Sequence, residues 1–304
     1  MSFNIGELFH VIHMSDALKP LDAWYDDVFF PRRGMMDENY SPAGKRDASL
    51  LVIADSIIET MAPAPEEGAD AMPSGRFLGR FGRHWHSIAW YVDDVGAVWD
   101  AFTAAEMRTV TDVAPPGVRP TEHALYTHPK DSLVQLEFFQ LPPNDRTGRN
   151  GTILPDSRMF PGWNSEWWAT NHPLGLIGLE TITVLTGRMD RAERIFVDVL
   201  RGEPIAEAES KLTGTRNVCV AVGSQTVVEL ATPIDDDSLA GRDLQKNGDN
   251  VHAMTYSVRD LDQAERYLKS KGIGVLARDD DTLLMDPDDT FGAPFRFTTT
   301  RLRP

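Results

Sequence analysis

Four stretches of the chain repeat one order of signals: a short, mostly apolar strand-like run, an aspartate-bearing turn, a segment with apolar residues three and four apart, and then further strand-like runs. Period-two spacing places side chains on the two faces of a strand, and the wider spacing gathers them on one face of a helix. The first stretch reads LFHVIHMSDALKPLDAWYDDVF and the second HSIAWYVDDVGAVWDAFTAAEM. The third reads GLETITVLTGRMDRAERIFVDVL and the fourth HAMTYSVRDLDQAERYLKSKG. Ala192, Ile195, Phe196 and Val199 make the apolar stripe of the third helix, and Leu261, Ala264 and Leu268 that of the fourth. Asp94, Asp190 and Asp260 fall where an N-cap or first-turn carboxylate satisfies open amide groups.

The repeats alternate in kind. HSIAWYVDDV and HAMTYSVRDL align without a gap, which sets His86 over His252 and Asp94 over Asp260. SIIETMAP and TVVELATP close the first and third copies and set Glu59 over Glu229. A chain that repeats in this way is expected to be built of stacked supersecondary units. The reading is an α+β protein of four βαβββ modules in two pseudo-symmetric halves, 1–142 and 174–304, with a linker at 143–173. That linker is rich in Pro, Gly and Asn, and its Trp163, Trp167 and Trp168 are expected to pin it to a domain surface.

Composition narrows the picture without naming a chemistry. The 304 residues are 41% hydrophobic and 25% charged, as in an ordinary globular protein with a sizeable core. A net charge of −16 repels phosphate backbones, so no nucleic-acid partner is expected. No run reaches the roughly 18 apolar residues of a membrane span, and the first residues carry no secretory pattern, so no membrane partner and a cytoplasmic location are expected. The single cysteine, Cys219, lies in the apolar run NVCVAV and reads as a buried strand thiol. Walker A, G-x-S-x-G, H-E-x-x-H and dinucleotide fingerprints are absent.

With four modules in this order, and with the hairpin-like segment YTHPKDSLVQLEFFQ, the chain resembles the vicinal oxygen chelate superfamily. That group includes glyoxalase I, bleomycin-resistance proteins, methylmalonyl-CoA epimerase and type I extradiol dioxygenases. The resemblance covers nearly all of the chain outside the linker, and it implies that each half curls into an open mixed β-sheet barrel with flanking helices. It also implies a divalent metal held by a first-strand histidine and a last-strand carboxylate from each of two modules. Carried onto this sequence, the ligands are His10 and Glu59 from the first module, and His86 and Glu137 from the second. Such a set suits Zn, Mn, Fe, Co or Ni.

The second module leaves an alternative open. The family's register counted back from Asp94 falls on Ser87, and His84 shares a strand face with His86. The C-terminal half has lost the set. Thr181 or Glu180 falls at the His10 position and Arg296 at that of Glu137. The function implied is metal-chelated enolate or oxyanion chemistry on a small oxygenated molecule, of isomerase, epimerase or lyase type, with Glu59 or Glu137 moving the proton. The alternatives are an Fe(II) ring-cleaving dioxygenase and a metal-free small-molecule binding protein of bleomycin-resistance type. Four modules in one chain can complete two barrels internally, so a homodimer is possible but not required.

Overall fold

Each repeat folds as a strand, a helix and three strands. The computed structural model describes residues 2–111, 115, 117–140 and 156–302. The first half contributes β1 (Ile5–Met14), β2 (Arg32–Ser41), β3 (Arg46–Ile53) and β4 (Ser56–Pro63) from one module. Its second module supplies β5 (His84–Val92), β6 (Thr109–Val110), β7 (Ala124–Thr127) and β8 (Gln135–Gln140). They form one eight-stranded sheet in the order β2-β3-β4-β1-β5-β8-β7-β6. The second half repeats the plan with β9 (Leu176–Leu185), β10 (Glu203–Ser210), β11 (Thr215–Val222), β12 (Thr226–Pro233), β13 (Asn250–Val258), β14 (Val275–Arg278), β15 (Thr282–Met285) and β16 (Phe295–Thr298). Their order is β10-β11-β12-β9-β13-β16-β15-β14. Both sheets are mixed, since β1 and β4, β5 and β8, β9 and β12, and β13 and β16 pair in parallel. The fold is therefore α+β, with four βαβββ modules in two pseudo-symmetric halves.

The helices follow from the apolar spacing. α1 (Leu18–Phe29) buries Leu18, Leu21, Tyr25, Val28 and Phe29 along one face. It stops at Phe30, whose φ of 49° is left-handed, just before Pro31, which cannot continue a helix. α2 (Pro73–Phe81) joins the first two modules, followed by α3 (Val95–Ala104) and the short α4 (Pro129–Ser132). After α5 (Glu166–Thr170), the second half adds α6 (Met189–Glu193), α7 (Leu239–Asn247) and α8 (Leu261–Ser270). Asp94 and Asp260 cap α3 and α8, accepting from the amides of Ala97 at 2.9 Å and Gln263 at 2.7 Å. Asp190 sits in the first turn of α6. The third-repeat helix departs from the simple stripe: it passes into a π-helical turn over Arg194–Val199. That wider turn leaves Val199 half-buried and brings Leu200 into the core in its place.

Contacts divide the chain into two compact units. One comprises Met1–Phe9, Ser87–Asp145 and Thr181–His252, and the other His10–His86, Arg146–Glu180 and Ala253–Pro304. In the first, Trp90 stacks on Phe138, which also meets Phe102 of α3. In the second, Tyr25, Phe29, Tyr256, Phe295 and Phe297 form a connected cluster of buried rings.

The expected linker at 143–173 falls partly outside the described residues. In its described part, Trp168 is buried and donates its indole N–H to the carbonyl of Phe29 at 2.9 Å, with Trp163 and Trp167 packed beside it. Cys219 is buried in β11. Among the described residues no helix is long and apolar enough to cross a membrane.

Candidate active site

Strand register decides which side chains share a face. β1 and β4 pair Ile12 with Glu59, and β3 and β4 pair Leu50 with Glu59. His10, two residues before Ile12, therefore falls on the Glu59 face. The two side chains meet there: His10 Nε2 lies 3.0 Å from Glu59 Oε2, and both residues are buried. Arg46 approaches the other carboxylate oxygen, with Nη1 3.3 Å from Glu59 Oε1 and 3.0 Å from Met61 Sδ. A carboxylate withdrawn from water between an imidazole and a guanidinium keeps its charge compensated.

His13 has the opposite orientation. It lies one strand face away from His10, under α1, where Nδ1 accepts from the Tyr25 hydroxyl at 2.8 Å. Nε2 is 3.1 Å from the Phe291 carbonyl. A carbonyl only accepts, so Nε2 carries the proton and the ring is neutral. Burial lowers the His13 pKa to about 3. The opposite face of the same strands holds a second polar cluster. Asp22 accepts from Ser49 at 2.7 Å, Thr60 at 2.5 Å and Arg33 at 3.1 Å.

Glu137 belongs to the other compact unit. It is buried on β8, paired with Ala89 of β5 and Tyr126 of β7. Oε1 accepts from Ser87 Oγ at 2.7 Å and from Gln135 Nε2 at 2.9 Å. Two donors on one carboxylate oxygen fix the position of the side chain. The same face of β8 carries half-buried Phe139. It meets Phe9 at 5.0 Å and Tyr126 at 6.1 Å, while Phe9 stacks on Tyr91 at 4.6 Å. Trp90 and Phe138 point the other way, into the core.

The register settles which second-module residue shares a face with Glu137: it is Ser87. His86, the next residue back, points to the opposite side of β5, where its ring packs edge-on against Phe77 of α2 at 4.5 Å. The second half repeats this placement, because α7 and β13 follow the same spacing as α2 and β5. Asp243 stands in the place of Phe77 and His252 in that of His86, and the two form a 2.7 Å ion pair. His84 contacts the Trp85 carbonyl at 3.0 Å.

The structure thus brings His10 and Glu59 together and does not add His86 to them. Among the described residues no three His, Cys, Asp or Glu side chains gather as a metal-holding group. Arg46 also places a cation on a carboxylate that a metal would need. The residues present do not fit the four-ligand centre of His10, Glu59, His86 and Glu137.

The second half confirms which positions have changed. Glu229 pairs with Thr183 as Glu59 does with Ile12, so Thr181 is the register counterpart of His10. Arg296 pairs with Thr255 as Glu137 does with Ala89. Glu229 is held by Thr183 Oγ1 at 2.6 Å and Asn217 Nδ2 at 3.0 Å. Sequence reading missed Arg46 and Gln135. The signal for Arg46 was present: a tight turn at Ala54–Asp55 between RDASLLVI and SIIETMAP brings Arg46 and Glu59 onto one sheet face.

No family model matches the chain, and no curated protein matches it at the level of sequence. Solved structures do. A variant of 4-hydroxymandelate synthase from Streptomyces coelicolor superposes with a TM-score of 0.68 at 13% identity, over 99% of this chain and 94% of that one. A xylose isomerase-like TIM barrel/4-hydroxyphenylpyruvate dioxygenase fusion protein gives 0.62 at 12% identity, over 98% of this chain and 49% of that one. Methylmalonyl-CoA epimerase from Mycobacterium tuberculosis matches 40% of this chain and 87% of its own, with 24% identity and a TM-score of 0.38.

Proposed function

The chain has the fold of the vicinal oxygen chelate superfamily, and we propose that it is an enzyme of that fold which moves a proton on a small oxygenated organic molecule. The reaction type is isomerase, epimerase or lyase, and Glu59 is the group that takes the proton. The observation that supports this reading is the buried contact between His10 and Glu59 at 3.0 Å, with Arg46 on the second carboxylate oxygen. A carboxylate held away from bulk water, with an imidazole close to one oxygen and a guanidinium donating to the other, is arranged to act as a general base. Transfer of a substrate proton to Glu59 leaves His10 and Arg46 to balance the change in charge. A positioned acid or base of this kind contributes about 10²- to 10⁴-fold in rate.

The test is solvent exchange. Carbon acids such as malonate, pyruvate and mandelate are incubated with the protein in D₂O, and loss of the C–H signal is followed by NMR. The expected result is catalysed exchange of at least one of them, reduced by about 10²-fold or more in Glu59→Gln. Exchange that proceeds equally in Glu59→Gln, or no exchange above the buffer rate with any of the acids, rejects the assignment.

A further inference from the structure

Arginines of this chain meet carboxylates in different ways. Arg33 spends its whole fork: Nε and Nη2 go to Asp26, both at 2.8 Å, Nη1 to Asp22 at 3.1 Å, and Nη2 also to the Asp22 carbonyl at 3.3 Å. Arg158 does the same with Asp156 and the Asp55 carbonyl. These are structural pairs, in which planar bidentate geometry is used up. Arg46 differs. Only Nη1 is engaged, at 3.3 Å from Glu59, longer than the 2.7–2.9 Å usual for a charge-assisted bond. Nε and Nη2 make no hydrogen bond among the described residues, and the side chain is 35% exposed beside a carboxylate that is 9% exposed.

The second half carries a different residue beside its glutamate. Thr215 stands where Arg46 does, since Thr215 pairs with Pro233 as Arg46 pairs with Pro63. Glu229 accepts there from Thr183 and Asn217. Arg46 is thus a half-exposed guanidinium with most of its donors in reserve, set beside the buried His10–Glu59 pair. A chain of net charge −16 repels anions at long range, so an anionic ligand needs a local receptor of this kind.

We propose that Arg46 is the anion receptor of this site and that the molecule bound there is a small organic acid whose carboxylate pairs with the guanidinium fork. The proposal rests on the reading of Glu59 as the proton-moving group, since it places a ligand carboxylate beside that residue. Arg46 then bridges two carboxylates and offsets their repulsion. It binds and orients the ligand without exchanging a proton itself.

Matched acids and amides test it: malonate against malonamide, mandelate against mandelamide, and benzoate against benzamide. Binding is read near neutral pH by calorimetry, with circular dichroism to confirm that each variant is folded. The expected result is that at least one acid binds and its amide does not. Arg46→Gln weakens that binding by about tenfold or more, and Arg46→Lys, which keeps a point charge but loses the fork, falls between. Glu59→Gln removes the competing carboxylate, so it tightens binding several-fold while it abolishes proton exchange. No binding of any acid at millimolar concentration, equal binding of acid and amide, or unchanged affinity in both Arg46 variants overturns the proposal. Acids that bind through Arg46 without catalysed exchange reject Glu59 as base and leave the receptor standing. Exchange through Glu59 with affinity indifferent to Arg46 does the reverse.

Discussion

At the scale of the residue, the two histidines of β1 show how one strand assigns opposite tasks to identical side chains. His10 meets a carboxylate, whereas His13 is locked as a neutral ring between Tyr25 and the Phe291 carbonyl. That lock has a pH consequence. Unfolded, the His13 imidazole takes a proton near its ordinary pKa of 6.5, but folded it does so only near 3, because burial disfavours the cation. The unfolded state therefore binds more protons between these values. The stability contributed by His13 is complete above about pH 6.5 and is lost as pH falls toward 3. His172, lowered to about 4 by burial, acts in the same sense. Urea unfolding midpoints should fall on acidification from pH 7 to 5, and His13→Gln should remove about one proton, or about 1.4 kcal/mol per pH unit, from that slope. An unchanged slope in the variant would show that His13 is protonated in the fold. The face of β1 that His13 takes is set by its contact with Tyr25.

At the scale of the element, the alternation of β5 and the caps of the helices carry most of the information. HSIAWYVDDV and HAMTYSVRDL could be aligned from sequence because both strands end in an aspartate that caps the next helix. Replacing Asp260 by Ala should cost about 1 kcal/mol in urea unfolding, with Asp260→Asn recovering most of it. Equal stability of the two variants would mean that the cap is idle. What the alignment leaves open is which face a residue takes, since a shift of one position inverts it. Parallel pairing of β5 with β8 resolves this: Ser87 bonds to Glu137 and His86 turns to Phe77. The π-turn of the third-repeat helix was not legible either, because the stripe from Ala192 to Val199 fits an ordinary helix until Leu200 is seen to be buried instead.

At the scale of the whole molecule, the repeat made the four modules and the two sheets readable, since each module offers the same strand and helix signals. The site was less readable. His10, Glu59, His86 and Glu137 are all present at plausible positions, but a ligand set depends on where side chains point, and His86 points to α2. Arg46 escaped notice because it lies at the far end of a hairpin from the turn that fixes its register. The central claim is that the first half works through His10, Glu59 and Arg46, with His86 as a packing residue. Metal content is its most direct test. Protein purified without an affinity tag is incubated with Fe(II), Mn(II), Zn(II), Co(II) and Ni(II), desalted and measured by ICP-MS, alongside His86→Ala and Glu59→Ala. The account predicts substoichiometric metal in all three proteins, with His86→Ala less stable through lost packing on Phe77. About one equivalent in the wild type, lost in both variants, would contradict it and restore the four-ligand centre.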